Sequence, residues 1–240
     1  LPAVVVVAGC TFAPAATSAP PGGAPADGPT APGHDAVAAH ADAPHDDAAP
    51  VTDAAPVTGH LTATVTAVSP GDIDLSSEGS ADWAHWGYTA GNSFDHAKVG
   101  GLISNAAITG SQQLGVQNVA VTASWSGGTP DSAANQTGTG TGTQSPGAFT
   151  FTAPAGVGSA VLRVYVGGND GGHGKLTAAL SDDSATSYTD DQSNGTSVYH
   201  VVYAITYNAA SADQQLSVTW ADTQDESEQG FVMLLSATLQ

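Results

Sequence analysis

Residues 78–88 crowd two carboxylates, an imidazole and three aromatic rings into one short stretch: Glu78, Asp82, Trp83, His85, Trp86 and Tyr88. Aromatic faces stack on the apolar faces of sugar rings, and flanking carboxylates accept hydrogen bonds from hydroxyls. That composition suits carbohydrate recognition. A structural account uses the same residues: Trp83 and Trp86 anchor a core, while Glu78 and Asp82 hold backbone N–H groups in an irregular loop. The tryptophans are three residues apart. On a strand they face opposite sides, so at most one is a sugar platform. Glu78, Asp82 and His85 also raise acid–base chemistry, because glycoside hydrolysis uses two carboxyls roughly 5 to 9 Å apart. Glutamate is scarce, at Glu78, Glu226 and Glu228 only, and the last two fall in a turn-like tract. The expectation is therefore a binding protein and not an enzyme.

A second oxygen-rich group is Asp222, Asp225, Glu226 and Glu228, read as the hairpin between Trp220 and Phe231, with Asp190-Asp191 in another loop. Such loops hold a structural Ca²⁺ in many sandwich modules, although the spacing departs from the helix-flanked calcium loop. A solvated acidic turn accounts for the same residues. Tyr199, Tyr203 and Tyr207 share one face of a predicted strand. They form either an exposed aromatic strip, a platform for polysaccharide chains, or a packing row against an opposite sheet. Gly167 to Lys175 imitates a phosphate loop, but Asn169 stands where the first glycine is required and Leu176 where Ser or Thr is required. It reads as a flexible hairpin loop. Neither a Gly-x-Ser-x-Gly elbow nor His-Glu-x-x-His occurs.

The residues Asp74, Leu75, Glu78, Gly79, Asp82, Trp83, His85, Trp86 and Gly87 resemble a pattern of secreted bacterial proteins, Asp-Leu-Thr-x-Glu-Gly-Thr-x-Asp-Trp-x-His-Trp-Gly. The resemblance extends loosely to Gly174-Lys175-Leu176, Leu180-Ser181-Asp182 and Val232 to Leu239. Modules of that kind are accessory β-sandwiches of cell-surface or carbohydrate-active proteins. The resemblance implies architecture and setting, and no reaction.

At the other end, Val7-Ala8-Gly9-Cys10 closes a short apolar run, and Cys10 is the only cysteine. This resembles the lipobox of bacterial lipoproteins, in which the Cys thiol carries diacylglycerol and the peptide is cut before it. The sequence starts without Met or a basic n-region, so residues 1–9 read as a partial lipoprotein signal peptide. The alternative, a buried strand cysteine, is disfavoured because the following Pro/Ala/Asp tract offers nothing to cover it. The run falls short of the roughly 20 apolar residues a spanning helix needs, so the membrane contact implied is through lipid alone.

Formal charge is −19, from 22 acidic residues against Lys98, Arg163 and Lys175. Phosphate binding depends on Lys and Arg displacing counterions, which excludes nucleic acid as a partner. Scarce lysine with many Asp is consistent with a high-salt habitat, and equally with codon bias. A single cysteine excludes an internal disulfide framework and a Cys-based zinc site.

Two regions must position these groups. Residues 10–57 are built from Ala, Pro, Gly, Asp, Thr and His, with neither Lys nor Arg. Such a composition buries too little apolar surface to offset backbone entropy, so it reads as a disordered, semi-stiff spacer. Its pairs His34-Asp35, His40-Ala41-Asp42 and His45-Asp46 read as incidental, with loose metal binding as the other account. Residues 58–240 alternate with period two: Leu61 to Ala67, Val119 to Trp125, Phe149 to Phe151, Leu176 to Leu180, Val198 to Tyr207, Leu216 to Trp220 and Phe231 to Leu239. Val161 to Val166 is apolar on both faces but for Arg163 and suits a central strand. Turn signals separate these runs, and only Ser93 to Ile103 allows one short helix.

The expected fold is therefore all-β, a single antiparallel sandwich of jelly-roll type with eight to ten strands. The expected role is a lipid-anchored, extracytoplasmic surface module that binds a glycan or surface polysaccharide. An adhesion protein contacting other surface proteins is the alternative, and a secreted glycoside hydrolase the weaker one. No cofactor beyond the Ca²⁺ is implied, and the oligomeric state is open.

Overall fold

The computed structural model describes residues 58–110 and 113–240; Cys10, the 10–57 tract and its His–Asp pairs lie outside them. Fifteen strands and one helical turn follow along the described chain. The first part runs β1 (His60–Ala67), β2 (Gly71–Asp74), α1 (Leu75–Glu78), β3 (Asp82–Trp86), β4 (Phe94–Ala97) and β5 (Ala107–Gly110). The middle holds β6 (Gln113–Ser126), β7 (Gly128–Thr129), β8 (Ala133–Thr143), β9 (Gly147–Ala155) and β10 (Ala160–Asn169). The last part is β11 (Gly172–Leu180), β12 (Tyr188–Gln192), β13 (Tyr199–Asn208), β14 (Gln214–Asp225) and β15 (Phe231–Leu239).

The strands form a β-sandwich of jelly-roll-like kind. One sheet runs β1-β13-β10-β15-β3-β4-β7 and the facing sheet β12-β11-β14-β9-β5. Period-two patterning sets which side chains meet between them. From one sheet come Val164, Val166, Tyr203, Ile205 and Tyr207; from the other Phe149, Phe151, Leu176, Val218 and Trp220, all at most 1% exposed. Each fully buried Leu or Phe stabilises the fold by about 1.5–3 kcal/mol, so this interleaved layer is the main source of stability. Central β10 pairs with β13 and β15, as its two-sided apolar character requires.

A third layer lies over the outer face of the longer sheet. The long ribbon of β6 and β8, with β2 beside β6 and α1 next to it, covers the side chains that point away from the main core. Beneath it Val121 meets Tyr165, Met233 and Leu235, and Leu75 meets Trp83, Ala123 and Trp125. β15 divides its partners: Ser236–Leu239 pair with β3, while Val232–Leu234 pair with β8. Pairing is antiparallel throughout except for the parallel contact of β2 with β6.

Four expectations are corrected here. The helical turn falls at Leu75–Glu78 and not within Ser93–Ile103. Asp74 caps it, accepting from the Ser77 N–H at 3.1 Å, whereas the second segment contributes β4 and then bends at Gly100 and Gly101, both at positive φ. The glycine-rich 167–174 stretch is ordered strand on either side of a two-residue turn, Asp170-Gly171, at φ +51° and +98°. There Gly174 makes room for the Trp220 indole, to which an added Cβ would come within 2.0 Å. Residues 222–230 do not close a hairpin, because β14 and β15 belong to different sheets. Asp190 and Asp191 stand on edge strand β12.

Candidate functional site

The aromatic–acidic segment folds as α1, a tight turn and β3, and every residue of β3 is buried on both faces. Alternation sends Ala84 and Trp86 into the main core and Trp83 and His85 under the β6–β8 layer. Trp86, 2% exposed, stacks at 5.0 Å on Phe151 and 5.7 Å on Phe94, and its indole N–H donates to Asn105 Oδ1 at 3.1 Å. Trp83 sits 5.5 Å from Trp125. Tyr88, half-buried, meets the same Trp125 edge-on at 5.1 Å. Neither tryptophan presents a face to a sugar, which corrects the platform expectation: a core that must cover both faces of β3 consumes both rings.

The polar members of the segment are equally committed. Asp82 is 1% exposed, and its Oδ2 accepts from the backbone N–H groups of Leu102 and Ile103 at 2.6 and 2.7 Å. Glu78 accepts the Tyr165 hydroxyl on both carboxylate oxygens at 2.9 and 2.8 Å and pairs with Arg163 Nε at 3.0 Å. His85 lies between Trp125 and Tyr88, with Nδ1 2.9 Å from Ser236 Oγ and Nε2 3.3 Å from Thr139 Oγ1. Burial pushes its pKa down to about 3, so the ring is neutral. The sugar-contact set Glu78, Asp82, Trp83, His85, Trp86 and Tyr88 is thus brought together as a structural knot and not as a groove wall.

The acidic group does not converge either. Among the described residues, no three His, Cys, Asp or Glu side chains stand where they could hold a metal ion. Asp222 is buried on β14, Glu226 is taken by the His173 imidazole at 2.6 Å, and Glu228 is an exposed turn residue at φ +57°. Asp225 ends β14. The calcium expectation is corrected for Asp222, Glu226 and Glu228, which form no such group; the Asp225 side chain lies outside the described residues.

The tyrosine row packs across the sandwich. Tyr203 OH donates to Asp190 Oδ2 at 2.8 Å, Tyr207 OH to Pro154 O at 2.9 Å and Tyr199 OH to Gln192 O at 3.0 Å. Three hydroxyls of one sheet thereby reach the facing sheet, and burial raises the pKa of all three.

The open hollows of the surface lie elsewhere. The hollow beside Trp86 and Asn105 is about 60 Å³, room for a few waters only. At the head of β13, where β1 ends and β12 turns, a cleft of about 460 Å³ opens between Val68, Pro70, Ala120, Gln192, Asn194, Val198 and His200. That volume falls in the range of small-ligand sites. Asn194-Gly195 is a turn dipeptide, but nothing in the sequence joins it to Pro70 and Ala120, which only the tertiary fold brings alongside. His200 carries the one sharp polar feature of the cleft: its Nε2 is buried without a protein partner. Burial also lowers its pKa, which keeps the imidazole neutral.

No protein-family model matches the chain, and no curated protein does. Among solved structures, two variants of an exo-β-1,3-galactanase from Phanerochaete chrysosporium, each with β-1,3-galactotriose, are similar at 17% identity and a TM-score of 0.31. The similarity covers 57% of this chain and 27% of that one. A likeness of that size carries no conclusion about activity.

Proposed function

We propose that residues 58–240 form a non-catalytic carbohydrate-binding module, held at the bacterial cell surface by a lipid on Cys10. The observation that carries the binding part is the cleft at the head of β13, uncharged and lined by amide, hydroxyl and imidazole groups together with Val68, Pro70 and Val198. Neutral hydrogen-bonding groups set against an apolar surface match the two-sided chemistry of a sugar ring. The hydrolase alternative has less support, since Glu78 and Asp82 are each engaged by structural partners. Adhesion to another surface protein remains the rival from a different class.

A glycan array and polysaccharide pull-down with the full chain test the reading. Retention on at least one neutral glycan is expected. No retention on any glycan, with the β-type circular dichroism intact, overturns it in favour of adhesion.

The anchor rests on Val7-Ala8-Gly9-Cys10. None of the helices among the described residues is long and apolar enough to cross a membrane. Expressed in a bacterium behind a complete signal peptide, the chain is expected to incorporate labelled palmitate and to lose the label in Cys10→Ala. Equal labelling of the variant refutes the anchor.

A further inference from the structure

Asn194 is the one asparagine in the sequence that glycine follows. The pair lies in the loop between β12 and β13, where residues 193–198 are all exposed. Gly195 stands at φ +53°, and nothing lies within 4 Å of a Cβ built on it. The hydrogen bond that closes the turn runs from the Ser197 N–H to the Asn194 carbonyl at 3.0 Å, so it engages neither the Gly195 N–H nor the Asn194 side chain. That side chain reaches Val198 O at 3.5 Å, the long limit of a hydrogen bond, and is lightly held.

A cyclic imide forms when a backbone nitrogen attacks the side-chain amide carbon of the residue before it. A Cβ on the attacking residue crowds that approach; glycine removes the obstruction and frees the backbone to turn. Exposed loop tips open at little cost, so this turn reaches the attacking geometry while the sandwich stays folded. Other positions lack these conditions. Asn105 Oδ1 accepts from the Trp86 indole N–H at 3.1 Å, and Asn208 Nδ2 donates to Thr58 O at 3.1 Å and Ala209 O at 3.2 Å. Both precede alanine. The Asp170-Gly171 turn has the glycine but is clamped. Glu226 N–H donates to Gly171 O at 3.1 Å, Ser227 Oγ donates to Asp170 O, and a Cβ at Gly171 would come within 3.0 Å of Glu226.

We infer that Asn194 is a self-modifying site, which the folded chain converts without an enzyme to aspartyl and isoaspartyl forms. The Gly195 nitrogen bonds to Asn194 Cγ, the bond from Cγ to the amide nitrogen breaks, and that nitrogen leaves as ammonia with the proton from Gly195. Water then adds to one carbonyl of the imide and opens the ring. Opening at one C–N bond restores the ordinary backbone with a carboxylate side chain. Opening at the other routes the backbone through the side chain, longer by a methylene. Asn194 borders the cleft at the head of β13, whose lining holds no Asp, Glu, Lys or Arg, so either product places a carboxylate there. The reaction does not depend on what the cleft binds.

The purified full chain tests this after incubation at mildly alkaline pH, folded and in urea, followed by digestion with trypsin, which cuts after Lys175 and releases residues 176–240. Expected is a mass gain of about 1 Da, assigned by fragmentation to position 194, together with labelling by an isoaspartyl methyltransferase. The folded chain should convert within about tenfold of the unfolded rate, as a segment at the low-stability end of a fold does. Gain and label are expected to disappear in Asn194→Gln, whose longer side chain closes a larger and less favourable ring, with the melting temperature unchanged. Conversion confined to the chain in urea overturns the inference, since the folded turn then protects the amide. A gain spread evenly over all asparagines overturns it as well. Label without the mass gain assigns the reaction to Asp170 instead, and label undiminished in Asn194→Gln moves it away from this turn; either result refutes the site.

Discussion

The Tyr165 hydroxyl donates into the carboxylate of Glu78, 2.9 Å from one oxygen and 2.8 Å from the other. The contact joins the last residue of α1 to the outer face of β10, and Arg163 closes it from two residues away at 3.0 Å. Gln240 adds its side-chain amide to the Glu78 carbonyl at 2.8 Å, so the residue that follows β15 is tied to the same point. Tyr165→Phe is expected to lower stability by about 1.5–3 kcal/mol, the range for a hydrogen bond to a charged group. Urea unfolding measures this, and a loss below about 0.5 kcal/mol would place the contact among the inconsequential surface pairs.

Acid sensitivity follows from His85. Its folded pKa of about 3 lies below the unfolded value of 6.5, so the unfolded chain takes up the proton first. The stabilising contribution is complete above pH 6.5 and is lost as pH falls toward 3. Subtracting the melting curve of His85→Asn from that of the native chain should leave a difference that shrinks between pH 6.5 and 4. A difference flat across that window refutes the neutral buried ring.

Asp82 is predicted to matter through its backbone partners. Asp82→Ala strands the Leu102 and Ile103 N–H groups, at about 1–3 kcal/mol for the buried Ile103 donor and less for Leu102, which water can reach. Amide hydrogen exchange should show both protons losing protection. Retained protection of both would refute this role for the carboxylate.

Gly87 stands at φ +79°, where an added Cβ would lie 2.3 Å from the Gly140 carbonyl carbon. Gly87→Ala is expected to cost more than about 1 kcal/mol, since both conformation and space oppose the methyl. A melting temperature within error of the native chain would contradict that geometry.

Trp86→Ala should remove about 3–5 kcal/mol, as for a large side chain excised from a packed core. In whatever fraction stays folded, affinity for any sugar the native chain binds is expected to be unchanged. A selective loss of binding at unchanged stability would return Trp86 to the ligand site.

Most long strands were legible because alternation is a local property: β1, β9, β11, β13, β14 and β15 each announce their buried face in the spacing of Leu, Val, Phe and Trp. β8 was not, since its Thr-Gly repeat carries no apolar period; it is held by pairing with β6 and β15. β3 was opaque for the opposite reason. Both its faces are covered, so aromatic, acidic and basic residues follow one another without alternation, and the mixture imitates a binding site. The α1 turn had a visible signal, Asp74 followed by a short run ending at Gly79, that was outweighed by the apolar residues of 93–103. The cleft has no sequence signature at all, because Pro70, Ala120, Asn194 and His200 meet only through the pairing of β1 with β13 and the overlay of β6.

The lining of that cleft comes largely from strand ends and turns, while β3 is buried on both faces. Mutational tolerance is thereby divided within one domain. Substitutions at Pro70, Asn194 and Val198 are expected to leave the interior undisturbed, whereas the segment that stands out most in the sequence has almost no freedom to vary. Sequence drift is therefore expected to gather at the inconspicuous rim and to spare the conspicuous strand.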